Sequence, residues 1–175
     1  GDRVELHIQR GETYMVMGDY ERAEKDARSG LKEDPRSFAA LWLLSRSLIG
    51  SRRPREALAA AESMELLAAS SAERAVALTQ ESIAVGALGD QHRAKILLKQ
   101  AVETNQNEIY TLQNMIPSLL RDGHFDEALR LEDRWLAAAK PGPQRARAYA
   151  QRAQTRLSLG DTAGAHGYLA KAFGE

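Results

Sequence analysis

One short phrase recurs along the chain and restricts what it can fold into. Gly18-Asp19-Tyr20-Glu21-Arg22-Ala23 returns as Gly89-Asp90-Gln91-His92-Arg93-Ala94, as Gly123-His124-Phe125-Asp126-Glu127-Ala128 and as Gly160-Asp161-Thr162-Ala163-Gly164-Ala165. A weaker copy, Arg52-Arg53-Pro54-Arg55-Glu56-Ala57, has lost its glycine, although Gly50 lies just before it. The closing alanines stand 34, 37, 34 and 37 residues apart. Such a period holds two short helices and two turns, so apolar surface must be buried between neighbouring units along the chain.

Each copy has the same mechanics. A glycine ends one helix by taking the left-handed conformation that other residues resist. Asp19, Asp90 and Asp161 then accept hydrogen bonds from the amides that open the next helix. The alanine one turn later marks a close crossing of two antiparallel helices. Ahead of each phrase runs a helix with its own small contact residue, Gly11, Ser45, Ser82 or Ala153; in the fourth repeat Ile116 takes that place beside Pro117, which predicts a splayed hairpin. Five prolines among many Ala, Leu, Arg and Glu favour helix throughout.

The joints are legible too. Asp34-Pro35 reads as an N-cap and first helical residue starting the third helix. Ser70-Ser71-Ala72-Glu73 contains a capping box, and Lys140-Pro141-Gly142-Pro143 is a turn that restarts a helix at its last proline. These two joints hold the extra residues of the longer spacings, as longer loops or as extended first helices. The expected hairpins are about 3–33, 36–67, 71–104, 107–138 and 143–174, in a single repeat domain over 1–175. The opening Gly1-Asp2-Arg3-Val4-Glu5 lacks a Met and any signal-peptide shape, which suggests a piece of a longer protein.

The pattern resembles the tetratricopeptide repeat. Gly11, Tyr14, Gly18, Tyr20, Ala23 and Pro35 carry the resemblance in the first copy, and Ala57, Ala94, Ala128 and Ala165 continue its most regular position. Departures are the missing terminal proline after the first repeat, Arg156 where Tyr14, Leu48, Val85 and Leu119 stand, and Glu132 on an otherwise apolar stripe. The resemblance implies an all-α, right-handed superhelical solenoid of antiparallel helix hairpins, with the first helix of every pair lining a concave ligand surface.

On that lining the sequence places Trp42, Leu43 and Arg46 in repeat two; Val76, Thr79, Gln80 and Ile83 in repeat three; Tyr110, Gln113, Asn114, Pro117 and Arg121 in repeat four; and Arg147, Gln151 and Gln154 in repeat five. Amides both donate and accept, so Gln80, Gln113, Asn114 and Gln151 suit the backbone of an extended segment whatever its sequence. Trp42 and Tyr110 offer large apolar contact area, or alternatively fill gaps between repeats. Arg121 and Arg147, with Arg152 as a further candidate, form a basic patch for an acidic peptide or anionic sugar chain, or a solvated face. Pro117 frees the carbonyl of Gln113 or simply kinks its helix. Family members that grip a chaperone's C-terminal carboxylate use Lys, Asn and Arg on successive concave helices. Here only Asn114 and Arg147 resemble that set, which argues against such a clamp.

Composition removes other classes. With 24 basic and 24 acidic side chains the formal charge is zero, which disfavours a nucleic-acid or anionic-membrane coat. Without cysteine there is no disulfide, thiolate nucleophile or thiolate metal site. No apolar run approaches the ~20 residues a spanning helix needs, so a soluble protein of cytoplasm or periplasm is expected. Phosphate-loop, dinucleotide, zincin and nucleophile-elbow motifs are absent, and His7, His92, His124 and His166 share no metal-ligand spacing. The expectation is a non-catalytic scaffold with no cofactor and no metal, binding a peptide or protein on its concave face. The alternative is a structural spacer of a longer solenoid, for example in bacterial secretion or envelope assembly, able to self-associate end to end.

Overall fold

The recurring glycines do what their position demands. In the computed structural model, which describes residues 2–175, Gly18, Gly89, Gly123 and Gly160 all have φ between 75° and 99°. Arg52 takes the same left-handed conformation, φ 58°, in the copy that lacks the glycine. Gly50 is no substitute for it. That residue closes a helix, and a Cβ on it would collide with the Tyr20 ring. Asp19, Asp90 and Asp161 accept from the amides of Arg22, Arg93 and Gly164 at 3.1, 3.0 and 2.8 Å.

Ten helices follow among the described residues: α1 (Asp2–Val16), α2 (Tyr20–Glu33), α3 (Phe38–Gly50), α4 (Pro54–Leu67), α5 (Ser71–Ala87), α6 (Gln91–Thr104), α7 (Ile109–Arg121), α8 (Phe125–Ala138), α9 (Pro143–Ser158) and α10 (Thr162–Gly174). Consecutive helices pair as five hairpins. The architecture is the all-α, solenoid type of stacked helix hairpins. Contacts group the chain into two compact units, Gly1–Thr104 with three hairpins and Asn105–Glu175 with two.

One joint differs from expectation. Asp34 does not open α3: it closes α2 with an extended backbone and accepts from the Arg36 amide at 3.0 Å. Pro35 sits in this turn, and Ser37 caps α3 by accepting from Ala40 at 3.3 Å. A serine two residues beyond the proline wins because its hydroxyl reaches a free amide, whereas Asp34 is already committed to its own turn. The Ser70 cap holds as read: Ser70 Oγ accepts from Glu73, and Glu73 returns a carboxylate oxygen to the Ala69 amide. The longer spacings are extended first helices, since α5 and α9 have 17 and 16 residues against 13 in α3 and α7.

In the first unit Leu43, Leu44, Leu48, Ala57, Ala60 and Ala84 form a buried cluster with Ala23 and Ala27. Each buried leucine contributes roughly 1.5–3 kcal/mol. The small residues hold the hairpins close. A Cβ on Gly11 would collide with Leu43 Cδ2. Ser45 Oγ donates to the Ala57 carbonyl at 3.1 Å, and Ser82 Oγ donates to that of Ala94 at 2.7 Å, so each serine ties its helix to its partner at the crossing.

In the second unit Leu112, Ile116, Leu119, Leu131 and Trp135 are buried, as are Ala128, Ala148 and Ala153. Ile116 is fully buried where the other hairpins have a small residue, and α7 with α8 is the most loosely paired hairpin. Pro117 lies exposed inside a continuous α7, so the Gln113 carbonyl lacks its helical donor.

Candidate functional site

The nine residues expected to meet a ligand divide between the units. Trp42 and Arg46 on α3 and Gln80 on α5 belong to the first. Tyr110, Gln113, Asn114 and Arg121 on α7 and Arg147 and Gln151 on α9 belong to the second.

In the first unit Trp42 has two roles at once. It packs against a cluster of Leu41, Met64 and Ala77, joined by Phe38 and Val76, which spans α3, α4 and α5. Part of its ring stays accessible, and the Arg46 guanidinium, one helical turn on, lies 4.5 Å from the ring centroid. An arginine there holds the indole in one rotamer and places a cation beside an apolar plane. Gln80 is not on an open surface: only 1% of it is exposed, and Leu43 and Thr79 are fully buried. These positions belong to the packed interior of the first unit.

In the second unit Tyr110, Gln113, Asn114 and Gln151 are half-buried, while Arg121 and Arg147 are exposed. The Asn114 amide donates to the Tyr110 carbonyl at 2.8 Å, so its nitrogen is already engaged within α7. Arg152 does not join a basic patch. It is 7% exposed and spends its donors on the Leu129 carbonyl at 2.7 Å, Glu132 at 3.3 Å and Asp133 at 3.0 Å. A guanidinium tied in this way is structural, because its charge is answered inside the fold.

Three buried carboxyl groups shape the electrostatics. Asp26 of α2 accepts two hydrogen bonds from Arg10 and lies 3.4 Å from His7 Nδ1; the Arg10 guanidinium holds it below the usual carboxylate range. Glu132 of α8 accepts from Thr155 Oγ1 and from Arg152, yet burial pushes its carboxyl up. Glu81 of α5 is raised to about 7, by burial first and then by Glu65 and Glu62 of α4, against a smaller pull from Arg93 of α6. Departure from an apolar stripe marked only Glu132 as unusual. Asp26 sits within a stretch dense in charge, where nothing distinguishes a buried carboxylate from a solvated one, whereas Glu81 is the lone charged residue between Arg74 and Asp90, a signal of burial that the sequence did carry.

A shallow recess of about 450 Å³ lies beside α1 and the start of α3, lined by Arg3, Glu5, Ile8, Glu33, Asp34 and Ser37. It contains none of the nine expected residues. Among the described residues no group of three or more His, Asp or Glu side chains could hold a metal ion, and no helix is long and apolar enough to cross a membrane.

Residues 4–37 match the family model for the tetratricopeptide repeat. No curated protein matches the sequence. Solved structures do match the fold over nearly the whole chain. A thermophilic tetratricopeptide-repeat protein from Thermus thermophilus, TTC0263, is similar at TM-score 0.76 and 21% identity, covering 97% of this chain and 89% of that one. MamA is similar at TM-score 0.59 and 22% identity over 93% and 92% of the two chains. YrrB, described as a tetratricopeptide-repeat protein with an unusual peptide-binding site, is similar at TM-score 0.54 and 19% identity over 95% and 82%. At these identities the likeness is one of fold.

Proposed function

We propose that this chain, whose residues 4–37 match the tetratricopeptide-repeat model and whose fold is similar to that of a solved tetratricopeptide-repeat protein, works as a non-catalytic scaffold that binds an extended peptide or a partner protein on the faces of its first helices. The observation that supports this most is the Trp42–Arg46 pair, a partly accessible indole with a cation 4.5 Å from its ring centroid, fixed on a well-packed helix. Rigid aromatic anchors of this kind supply binding energy at little entropic cost. In the second unit Tyr110, Gln113 and Gln151 present mixed apolar and amide groups, and Arg121 and Arg147 present exposed cations. This combination favours a segment with an apolar side chain and carboxylates. Gln80 and Asn114 contribute by positioning, since one is buried and the other donates within its own helix.

The test is selection from a random peptide library, followed by affinity measurement on variants. Trp42→Ala combined with Tyr110→Ala is expected to weaken a selected peptide at least about tenfold, roughly 1.4 kcal/mol, while retaining helical circular dichroism. Unchanged affinity in a folded double variant contradicts this location.

A further inference from the structure

Of the five first helices only α7 has a proline in its interior. Proline has no N–H to give, so the carbonyl four residues earlier, that of Gln113, has no partner in the helix. A proline at such a place lowers helix stability, and the core does not ask for it: Pro117 is exposed, while Ile116 and Leu119 beside it are buried. A local rule broken at an accessible position, with no packing gained in return, is expected at functional sites.

The register of the repeats shows which place this is. With the repeats aligned on their closing alanines, Gln113 and Pro117 of α7 stand where Trp42 and Arg46 stand in α3, the pair that supports the peptide-binding reading. A helix carbonyl points along the axis toward the residue four ahead. The Gln113 oxygen therefore opens on the side of Pro117, the accessible one. The carbonyl of Tyr110, one turn earlier, is already engaged, since it accepts from the Asn114 side chain at 2.8 Å. The Gln113 side chain is half-buried, and among the described residues its carboxamide takes part in no hydrogen bond. One residue thus offers a backbone acceptor together with an amide that donates and accepts, the groups that match the N–H and C=O of an extended segment. An acceptor without a partner in half-buried surroundings gains from each N–H that reaches it.

We propose that Gln113 holds the main chain of a bound extended peptide: one peptide N–H donates to the Gln113 carbonyl oxygen, the Gln113 carboxamide donates to a peptide carbonyl, and Pro117 is the positioning residue that keeps the backbone acceptor open. The inference rests on the peptide-binding reading above and deepens it. The register that carries an aromatic anchor in α3 carries a main-chain anchor in α7, which grips a segment whatever its side chains.

The test uses the full chain and a peptide selected on it from a random library, then synthesised with single N-methyl groups that remove one backbone N–H at a time. By calorimetry, one N-methyl position is expected to weaken binding to the wild type about tenfold and to leave binding to Pro117→Ala nearly unchanged. Pro117→Ala restores the helical donor, so it is expected to melt higher than the wild type and yet to bind the unmodified peptide about tenfold more weakly. Gln113→Ala keeps the backbone carbonyl; it is expected to bind several-fold more weakly while the same N-methyl position stays sensitive. If Trp42→Ala combined with Tyr110→Ala weakens the peptide but Pro117→Ala binds as tightly as the wild type, the inference falls and the peptide-binding reading stands. Equal N-methyl losses in the wild type and in Pro117→Ala also overturn it, as does coupling of Pro117→Ala to a Lys or Arg side chain of the peptide in place of a backbone N–H. A library that yields no binder removes both.

Discussion

Asp26 and Glu132 are buried carboxylates on second helices, both met by an arginine, and their proton affinities move in opposite directions. Arg10 gives Asp26 two hydrogen bonds, and its side chain is 58% exposed, so the cation keeps much of its hydration while neutralising the carboxylate. Arg152 is itself buried and divides its donors among Glu132, Asp133 and the Leu129 carbonyl. Less of its charge is left for Glu132, and both ions have lost water. The difference shows that an arginine nearby does not by itself keep a carboxylate ionised. What matters is whether the pair's hydrogen bonds repay the hydration that both partners give up.

This contrast can be broken by removing each arginine. Arg152→Ala is expected to cost about 3–5 kcal/mol, because it strands Glu132 in the core; Glu132→Leu with Arg152→Met is expected to recover most of the loss. Denaturant unfolding of the single and double variants measures the coupling, and a loss under about 1 kcal/mol would show that the pair is not closed in solution. Arg10→Ala is expected to cost less, because Arg10 is largely exposed and Asp26 keeps His7 within reach. The pH dependence also separates the two sites. Asp26 has a depressed pKa, so its stabilisation is present above the usual carboxylate range and is lost as pH falls through the depressed value. Arg10→Ala should remove that acid limb. Glu132 has a raised pKa, so its contribution declines as pH rises from the usual range through the raised value.

Glu81 sharpens the comparison as a buried carboxyl whose nearest charged neighbours include other carboxylates. Its unfolded value is near 4.5 and its folded value about 7. The folded state therefore binds the extra proton, and stability should fall as pH rises between those values. Glu81→Gln is expected to flatten that decline and to stabilise the protein above it, on the order of 1–2 kcal/mol. Melting temperatures across the pH series provide the check; a Glu81→Gln curve parallel to wild type would contradict the assignment of the raised value to Glu81.

Most of the fold was legible because its turns are written in residues with one physical use. The left-handed glycines, the Asp caps and the crossing alanines fix helix ends and spacing wherever they occur. Arg52 shows the limit: position in the repeat, not residue type, imposed its conformation. Asp34 shows another, since a cap signal cannot say whether the residue closes one helix or opens the next. The candidate site was less legible. Trp42 and Arg46 four residues apart announced a shared helix face, but the burial of Gln80 and Thr79 depends on which side of α5 its neighbours cover, which spacing alone does not state. Likewise Arg152 resembled a surface cation until Glu132, twenty residues away, was placed beside it.

The claim that the first-helix face around Trp42 binds a peptide is tested most directly by fluorescence. Trp135 is 5% exposed and lies in the other unit, so it provides a nearly constant background against which Trp42 reports. Titration of a selected peptide into the wild type is expected to give a saturable change in emission that disappears in Trp42→Phe. Arg46→Ala should shift the midpoint several-fold toward weaker binding, through loss of about 0.5–1 kcal/mol of cation–π support. A peptide that binds by calorimetry while leaving Trp42 emission unchanged would contradict the account.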